Sequence, residues 1–133
     1  MSLYIFSEII QILAIAEGKP WLDARQHCID LGRRIMEVHT QEHFDEVLQI
    51  ANSLQRDVWL GGNDIEDEGV WVWDVNNQRI DMNQFWGTRQ PSRNGDPDSD
   101  VDCLLFQWDD LFDDKSCSRA RSYLCKLRSY ITL

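Results

Sequence analysis

The sequence predicts an α+β fold in one unit spanning residues 1–133, and three observations carry it. Helical periodicity is confined to two stretches that end by Ser53, short apolar or alternating runs fill the chain after about Asp57, and four cysteines are spread over both halves. At 133 residues, with 43% hydrophobic and 27% charged residues, the chain can bury a core of its own; no repeat, linker or composition break divides it.

Each element follows from local chemistry. The opening "LYIFSEIIQILAIA" predicts a β-strand or hairpin. Ala14 and Ala16 imitate a signal-peptide cleavage site, but there is no basic leader, and Glu8 and Gln11 interrupt an apolar run that is too short to span a membrane. "EGKPWLDARQHCIDLG" predicts a helix, with Pro20 suited to its first turn, Trp21, Ala24, Cys28 and Leu31 on one face, and Gly32 as its stop. "HTQEHFDEVLQIANS" predicts a second, with Thr40 as N-cap, Glu42 in the first turn and Phe44, Val47, Leu48 and Ala51 as its apolar face. "DVWLGG" and "GVWVWDV" read as strands, Asn76-Asn77 as the turn into "QRIDM", "TRQPSRNGDPDSDVD" as a long polar loop, and "CLLFQW" and "SYLCKL" as closing strands. The alternation in "GVWVWDV" puts Trp71 and Trp73 on one face, and these two with Trp86 are assigned to the core.

A formal charge of -10 argues against a nucleic-acid backbone or an anionic membrane as partner and leaves cations and neutral ligands open. Cys28, Cys103, Cys117 and Cys125 contain no CxxC, and His27, His39 and His43 are not placed to complete a zinc finger. The four cysteines therefore favour two disulfides in an oxidising compartment, in any of three connectivities. The acidic comb Asp96, Asp98, Asp100 and Asp102 resembles the start of an EF-hand. Val101 stands where that loop needs glycine, however, and Gln107 where it needs a bidentate glutamate, so the comb reads as a solvated turn. No Ser-His-Asp or Cys-His order, paired catalytic carboxylates or phosphate-cradling glycine loop stands in a supporting context, and a non-catalytic protein is expected.

Trp21, Ala24 and Cys28 give W-x2-A-x3-C on the first helix. "VWLGGND" is similar to a WIGL element, "EGVWVWD" with Trp86 to tryptophan-marked strands, and Cys103, Cys117 and Cys125 close the pattern. In this order and spacing the chain resembles the C-type lectin-like domain over nearly its whole length. The resemblance implies two helices packed on antiparallel sheets, a long calcium-binding loop, and the pairings Cys28–Cys125 and Cys103–Cys117. The outer bridge would contribute about 4 to 5 kcal/mol in the chain-entropy account.

The resemblance also implies a calcium site anchored by an E-P-N or Q-P-D tripeptide in the loop and a W-N-D on a late strand, three residues ahead of the third cysteine. Gln90-Pro91-Ser92 occupies the first position. Trp108-Asp109-Asp110 imitates the second, but counting back three residues from Cys117 reaches Asp114, so Phe112-Asp113-Asp114 fits the register. Calcium takes six to eight hard oxygens. Gln90 offers an amide oxygen, Ser92 a hydroxyl, and Asp113 and Asp114 their carboxylates, leaving room for two sugar hydroxyls that the same side chains would hydrogen-bond. Asp100 or Asp102 is an auxiliary ligand at best. Gln90 leans toward galactose, and Ser92 is similar to the E-P-S variant of small ascidian galactose-binding C-type lectins, in which a tryptophan precedes a Leu-Leu-Asp-Asp stretch. In that alignment Trp108 stacks on the apolar face of the sugar.

The expected function is thus a secreted, calcium-dependent lectin for galactose or a related sugar, a homodimer or larger assembly because a single sugar site binds weakly. The alternatives are a lectin-like module that binds protein without calcium-dependent sugar binding, and an inhibitor or toxin subunit of the same fold.

Overall fold

In the computed structural model of the chain, the described residues are 11–80, 102–108 and 111–127. Strand β1 (Ile12–Lys19) leads into helix α1 (Trp21–Asp30), the short β2 (Arg33–Ile35) and helix α2 (Gln41–Leu54). Strands β3 (Val58–Asn63), β4 (Val72–Trp73), β5 (Cys103–Gln107), β6 (Leu111–Lys115) and β7 (Arg121–Leu127) follow. They form one seven-stranded sheet in the order β1-β7-β3-β5-β6, with β2 added to β7 and β4 to β3. The expected antiparallel pairing holds at every neighbour but one: β7 returns between β1 and β3 and runs parallel to β3, with Val58 beside Ser122. Both disulfides join the pairs that the resemblance implies, Cys28–Cys125 across 97 residues and Cys103–Cys117 across 14.

The helices end where their residues demand. Pro20 is the N-cap of α1, and Gly32, just past its C-cap Leu31, takes φ +76°, a conformation a glycine adopts without Cβ strain. Thr40 caps α2 by accepting the His43 N–H at 3.0 Å. The predicted faces are buried at Trp21, Ala24 and Cys28 on α1 and at Phe44, Val47 and Ala51 on α2. Leu31 departs from this pattern and is 45% exposed, because the helix has already ended there.

A helix lies on each face of the sheet, so the central strands are buried on both sides. Val58 and Leu60 of β3, Leu104 and Phe106 of β5 and Leu124 of β7 join the core under α2. Their alternate neighbours Trp59, Cys103, Leu105, Tyr123 and Cys125 join Trp21 and Cys28 of α1 on the other side. That is why "VWL" and "CLLF" are unbroken apolar runs rather than alternating ones. Buried indoles are tied by hydrogen bonds: Trp21 Nε1 donates to the Leu60 carbonyl at 2.7 Å and Trp59 Nε1 to that of Lys19 at 3.0 Å. Trp71 and Trp73 are core residues as expected, and Asn77 makes its turn with φ +55°.

Gly62 marks the closest approach within this core. A Cβ there would meet Leu104 Cδ2 at 2.6 Å, Ile80 Cδ1 at 2.9 Å and Leu104 Cβ at 3.0 Å. Gly62→Ala is therefore expected to cost about 1 to 3 kcal/mol as an overpacked core, read as a lower urea midpoint at unchanged slope. A midpoint equal to that of the parent chain would show that Leu104 and Ile80 repack freely.

Candidate functional site

The end of the sheet at Asn63 and Cys103 gathers the acidic side chains. Asn63 pairs with Cys103, and one residue beyond, the Asp64 N–H donates to the Asp102 carbonyl at 3.0 Å, so the two carboxylates flank the same strand ends. The following turn, closed by the Val70 N–H on the Asp67 carbonyl, brings Glu68 round to them. One oxygen from each of Asp64, Glu68 and Asp102 lies within 4.8 Å of the others. Asp64 is only 2% exposed. Its Oδ2 accepts the Gly69 N–H at 2.8 Å, while its Oδ1 and the Asp102 Oδ1 are buried and have no hydrogen-bond partner among the described residues. Burial pushes the Asp64 carboxyl up to about 7, against the Gly69 N–H and with the help of the Asp102 and Glu68 charges. Crowded, half-satisfied carboxylate oxygens are the donor set of a hard cation, and the three residues fit calcium, with further oxygens needed to complete six to eight.

Sequence reasoning named Asp102 as an auxiliary and missed Asp64 and Glu68. The signal was present in "NDIEDEG", an acid-rich turn directly after the glycine pair of β3 with two acids four residues apart.

Asp114 lies toward this cluster on β6, and Asp113 at the middle of that strand. In the β5–β6 hairpin Leu105 pairs with Asp113 and Leu104 with Asp114, so Asp114 is only about 7 Å of strand from Asp102. Successive residues of a strand face opposite ways. Asp114 therefore shares a face with Phe112 and the core under α2, and Asp113 the other face with Lys115. Both are 2% exposed. Asp113 Oδ1 accepts the Asp114 N–H at 2.8 Å, and its Oδ2 lies 3.1 Å from Lys115 Nζ. Burial raises the Asp113 carboxyl above its usual range, Lys115 opposes this, and the Asp114 carboxylate adds to it. Trp108 occupies the opposite end of the hairpin. It is 37% exposed, and its N–H donates to Asp57 Oδ1 at 3.2 Å. Three to four residues of ladder, about 10 to 13 Å, separate its backbone from the level of Asp113 and Asp114.

Gln90, Pro91 and Ser92 lie outside the described residues, as do Trp86, Asp96, Asp98, Asp100, Asp109 and Asp110. The described chain leaves at Ile80 and returns at Asp102, both at the acidic end: Ile80 lies against the Cβ position of Gly62, and Asp102 precedes Cys103. The histidines, expected from the sequence to be surface or half-buried side chains without partners, are exposed or half-buried but have partners: His27 Nδ1 meets the Tyr123 hydroxyl across the fold, and His39 Nε2 lies 2.7 Å from Oε1 of nearby Glu37.

The raised Asp64 carboxyl sets a pH dependence. Between the ordinary aspartate range near 4 and about 7, the folded chain keeps a proton that the unfolded chain has released, so this group makes stability fall as pH rises through that window. Without divalent cations the melting temperature is expected to be several degrees lower at pH 7.5 than at pH 5.5, and calcium is expected to restore it at pH 7.5. Asp64→Asn should raise the cation-free melting temperature at pH 7.5 and shrink the calcium response, as followed by thermal denaturation. A calcium response of full size in Asp64→Asn would remove the acidic trio as a cation site.

Known proteins match this architecture. The family model of the lectin C-type domain matches residues 17–127. The low affinity immunoglobulin epsilon Fc receptor of Mus musculus is 32% identical over 111 residues, covering 80% of this chain and 29% of the receptor. The chain thus corresponds to under a third of that relative's length. Among solved structures, a C-type lectin from the tunicate Polyandrocarpa misakiensis superposes with a TM-score of 0.77 at 19% identity, over 89% of this chain and 97% of that one. The calcium-free form of a Ca2+-dependent type II antifreeze protein superposes at 0.72 with 23% identity, over 86% and 88%. At these identities the structures establish the fold, and the family model, which spans most of the chain, establishes membership: the chain belongs to the C-type lectin domain family.

Proposed function

We propose that this domain is a non-catalytic lectin that holds a galactose-type sugar through calcium, with Gln90, Ser92, Asp113 and Asp114 as the shared ligands of ion and sugar. One observation carries the reading: Asp64, Glu68 and Asp102 converge on one end of the sheet, the end at which the described chain leaves at Ile80 and returns at Asp102, and the buried Asp114 lies on the neighbouring strand toward that end, with Asp113 beside it at mid-strand. Bound there, calcium would supply Lewis-acidic positions for two vicinal sugar hydroxyls. The chain's own part is to present carboxylates that accept hydrogen bonds from those hydroxyls, and an amide and a hydroxyl that complete the oxygen set. Buried on a rigid hairpin, Asp113 and Asp114 need little reordering when a ligand arrives. The trio of Asp64, Glu68 and Asp102 would hold a second cation that neutralises the strand ends behind the sugar site. Trp108, which the resemblance would stack on the calcium-held ring, stands about 10 to 13 Å along the hairpin and would instead meet a further ring of a longer saccharide.

The remaining expectations follow from the same reading. Two disulfides suit an extracellular setting, and among the described residues no helix is long and apolar enough to cross a membrane. Monosaccharide sites bind weakly, so the working form is a homo-oligomer, with a dimer as the simplest. A second reading is a lectin-like module that binds protein without calcium at Asp113. The specific observation in its favour is Lys115, whose ammonium already occupies one Asp113 oxygen at 3.1 Å.

Calorimetry separates the two. With calcium present, galactose is expected to give a saturable heat that exceeds that of mannose and vanishes in chelator, and Asp114→Ala should weaken it at least tenfold. The double change Gln90→Glu with Ser92→Asn is expected to move preference toward mannose; an unchanged profile would assign specificity to Trp108 or another contact. Absence of calcium-dependent heat with either sugar would leave the second reading standing.

A further inference from the structure

Among the described residues, the opposite end of the sheet has more basic than acidic side chains. Arg56 and Asp57 precede β3, Arg121 and Ser122 open β7, and Ala16 and Gly18 of β1 close a cleft of about 250 Å3 between them. Gly18 lets β1 come this close: a Cβ there would stand 3.0 Å from the backbone of Ala120 and Arg121. Arg121 carries the decisive feature. Its Nε is buried and has no hydrogen-bond partner among the described residues, and Asp57 Oδ2 lies 3.8 Å from its Nη1, too far for a hydrogen bond. The other Asp57 oxygen is engaged by the Trp108 N–H at 3.2 Å, and the Ser122 hydroxyl donates to the Ala16 carbonyl at 2.7 Å. The cleft therefore has two guanidinium groups, one carboxylate and an unused buried donor, within a chain of net charge -10. What the Arg121 Nε lacks is an acceptor within hydrogen-bond reach among the described residues, and a buried donor without one is costly.

We propose that this cleft is a subsite for a compact oxyanion, the sulfate or carboxylate of an acidic saccharide, held by Arg121 and Arg56. A planar guanidinium presents its donors in a fork that matches two oxygens of such a group. The saccharide is indicated by Trp108, whose exposed ring belongs to the turn anchored on the same Asp57 and offers a surface for the apolar face of a sugar. The subsite is independent of calcium and lies at the end of β3 remote from Asp64.

The test uses the full chain in chelator at 0.1 to 0.2 M sodium chloride, so that the calcium-dependent reading plays no part. Nitrogen-15 NMR follows the Arg121 Nε–H and the Trp108 indole N–H during titration with sodium sulfate, 6-sulfated galactose, glucuronic acid and neutral galactose. Saturable shifts of the Arg121 Nε–H are expected with the anions and not with neutral galactose, and the sugar-borne anions should also shift Trp108. The tighter of the sulfated and carboxylated sugars identifies the anion. Arg56→Gln, at an exposed position, should weaken binding roughly tenfold, the worth of one charge-assisted hydrogen bond. Arg121→Lys, which keeps the charge beside Asp57, should abolish the saturable response while preserving the urea midpoint. Shifts that grow linearly without saturation, or affinities unchanged in both variants, would overturn the proposal.

Discussion

The pairing of β3 with β5, closed by Asn63 against Cys103, is the constraint on which the rest depends. Both strands are buried on both faces, which fixes their register twice over: a one-residue slip would carry Trp59 and Leu105 into the core under α2 and expose a mismatched set beneath α1. Cys103 is also bonded to Cys117, so β5, β6 and the start of the return strand are held as one piece, and Cys28–Cys125 joins α1 to β7 on the same side of the sheet. The pairing shifts register between Trp59 and Asn63, and beyond that irregularity the Asn63–Cys103 pair positions the residues just outside the strands. Asp64 falls beside Asp102, and Asp114 opposite Leu104, whatever their charges prefer.

Their charges prefer otherwise. Asp64, Asp113 and Asp114 are almost wholly buried, and Asp64 keeps an unpartnered oxygen in the company of two more carboxylates. Such a site opposes the fold that creates it, and the apolar core must offset the cost. A cation at this site would relieve that cost, and folding and ion binding would then be linked equilibria. Lys115 moderates the cost at Asp113. At the far end of the same strands the imbalance is reversed, with Arg56 and Arg121 around a single Asp57. Among the described residues of a chain with net charge -10, β3 thus has carboxylates gathered at its Asn63 end and guanidinium groups at its Asp57 end.

Much of this was legible in the residues. Thr40, Gly32, the periodic faces of both helices and the Trp71–Trp73 alternation are local signals, and the structure repeats them. The strands less legible from pattern are β2, three residues with two arginines, and β6, whose "LFDDK" places two carboxylates in a strand where such residues are rare. Both exist because a neighbour templates them: β2 is laid along β7, and β6 is the return arm of a hairpin begun by an apolar β5. The disulfide pairing was available only through the family resemblance, since composition alone allowed three connectivities.

The site divides along the same line. Asp113 and Asp114 could be found by counting from Cys117, because a disulfide-anchored hairpin preserves distance along the chain. Asp64 and Glu68 could not be joined to Asp102 in that way: they are 34 to 38 residues distant in sequence and meet only because Asn63 pairs with Cys103. Trp108 and Arg121 were likewise related to Asp57 by the ladder and not by any motif. The sequence by itself determined the helices, their caps, the two-sided apolar strands and the family, all of which rest on periodicity, turn chemistry and spacing within a few residues. Which carboxylates gather at the strand ends, and which buried guanidinium Nε has no acceptor among the described residues, emerged with the tertiary structure, because those are contacts between distant strands whose partners are set by register in the sheet.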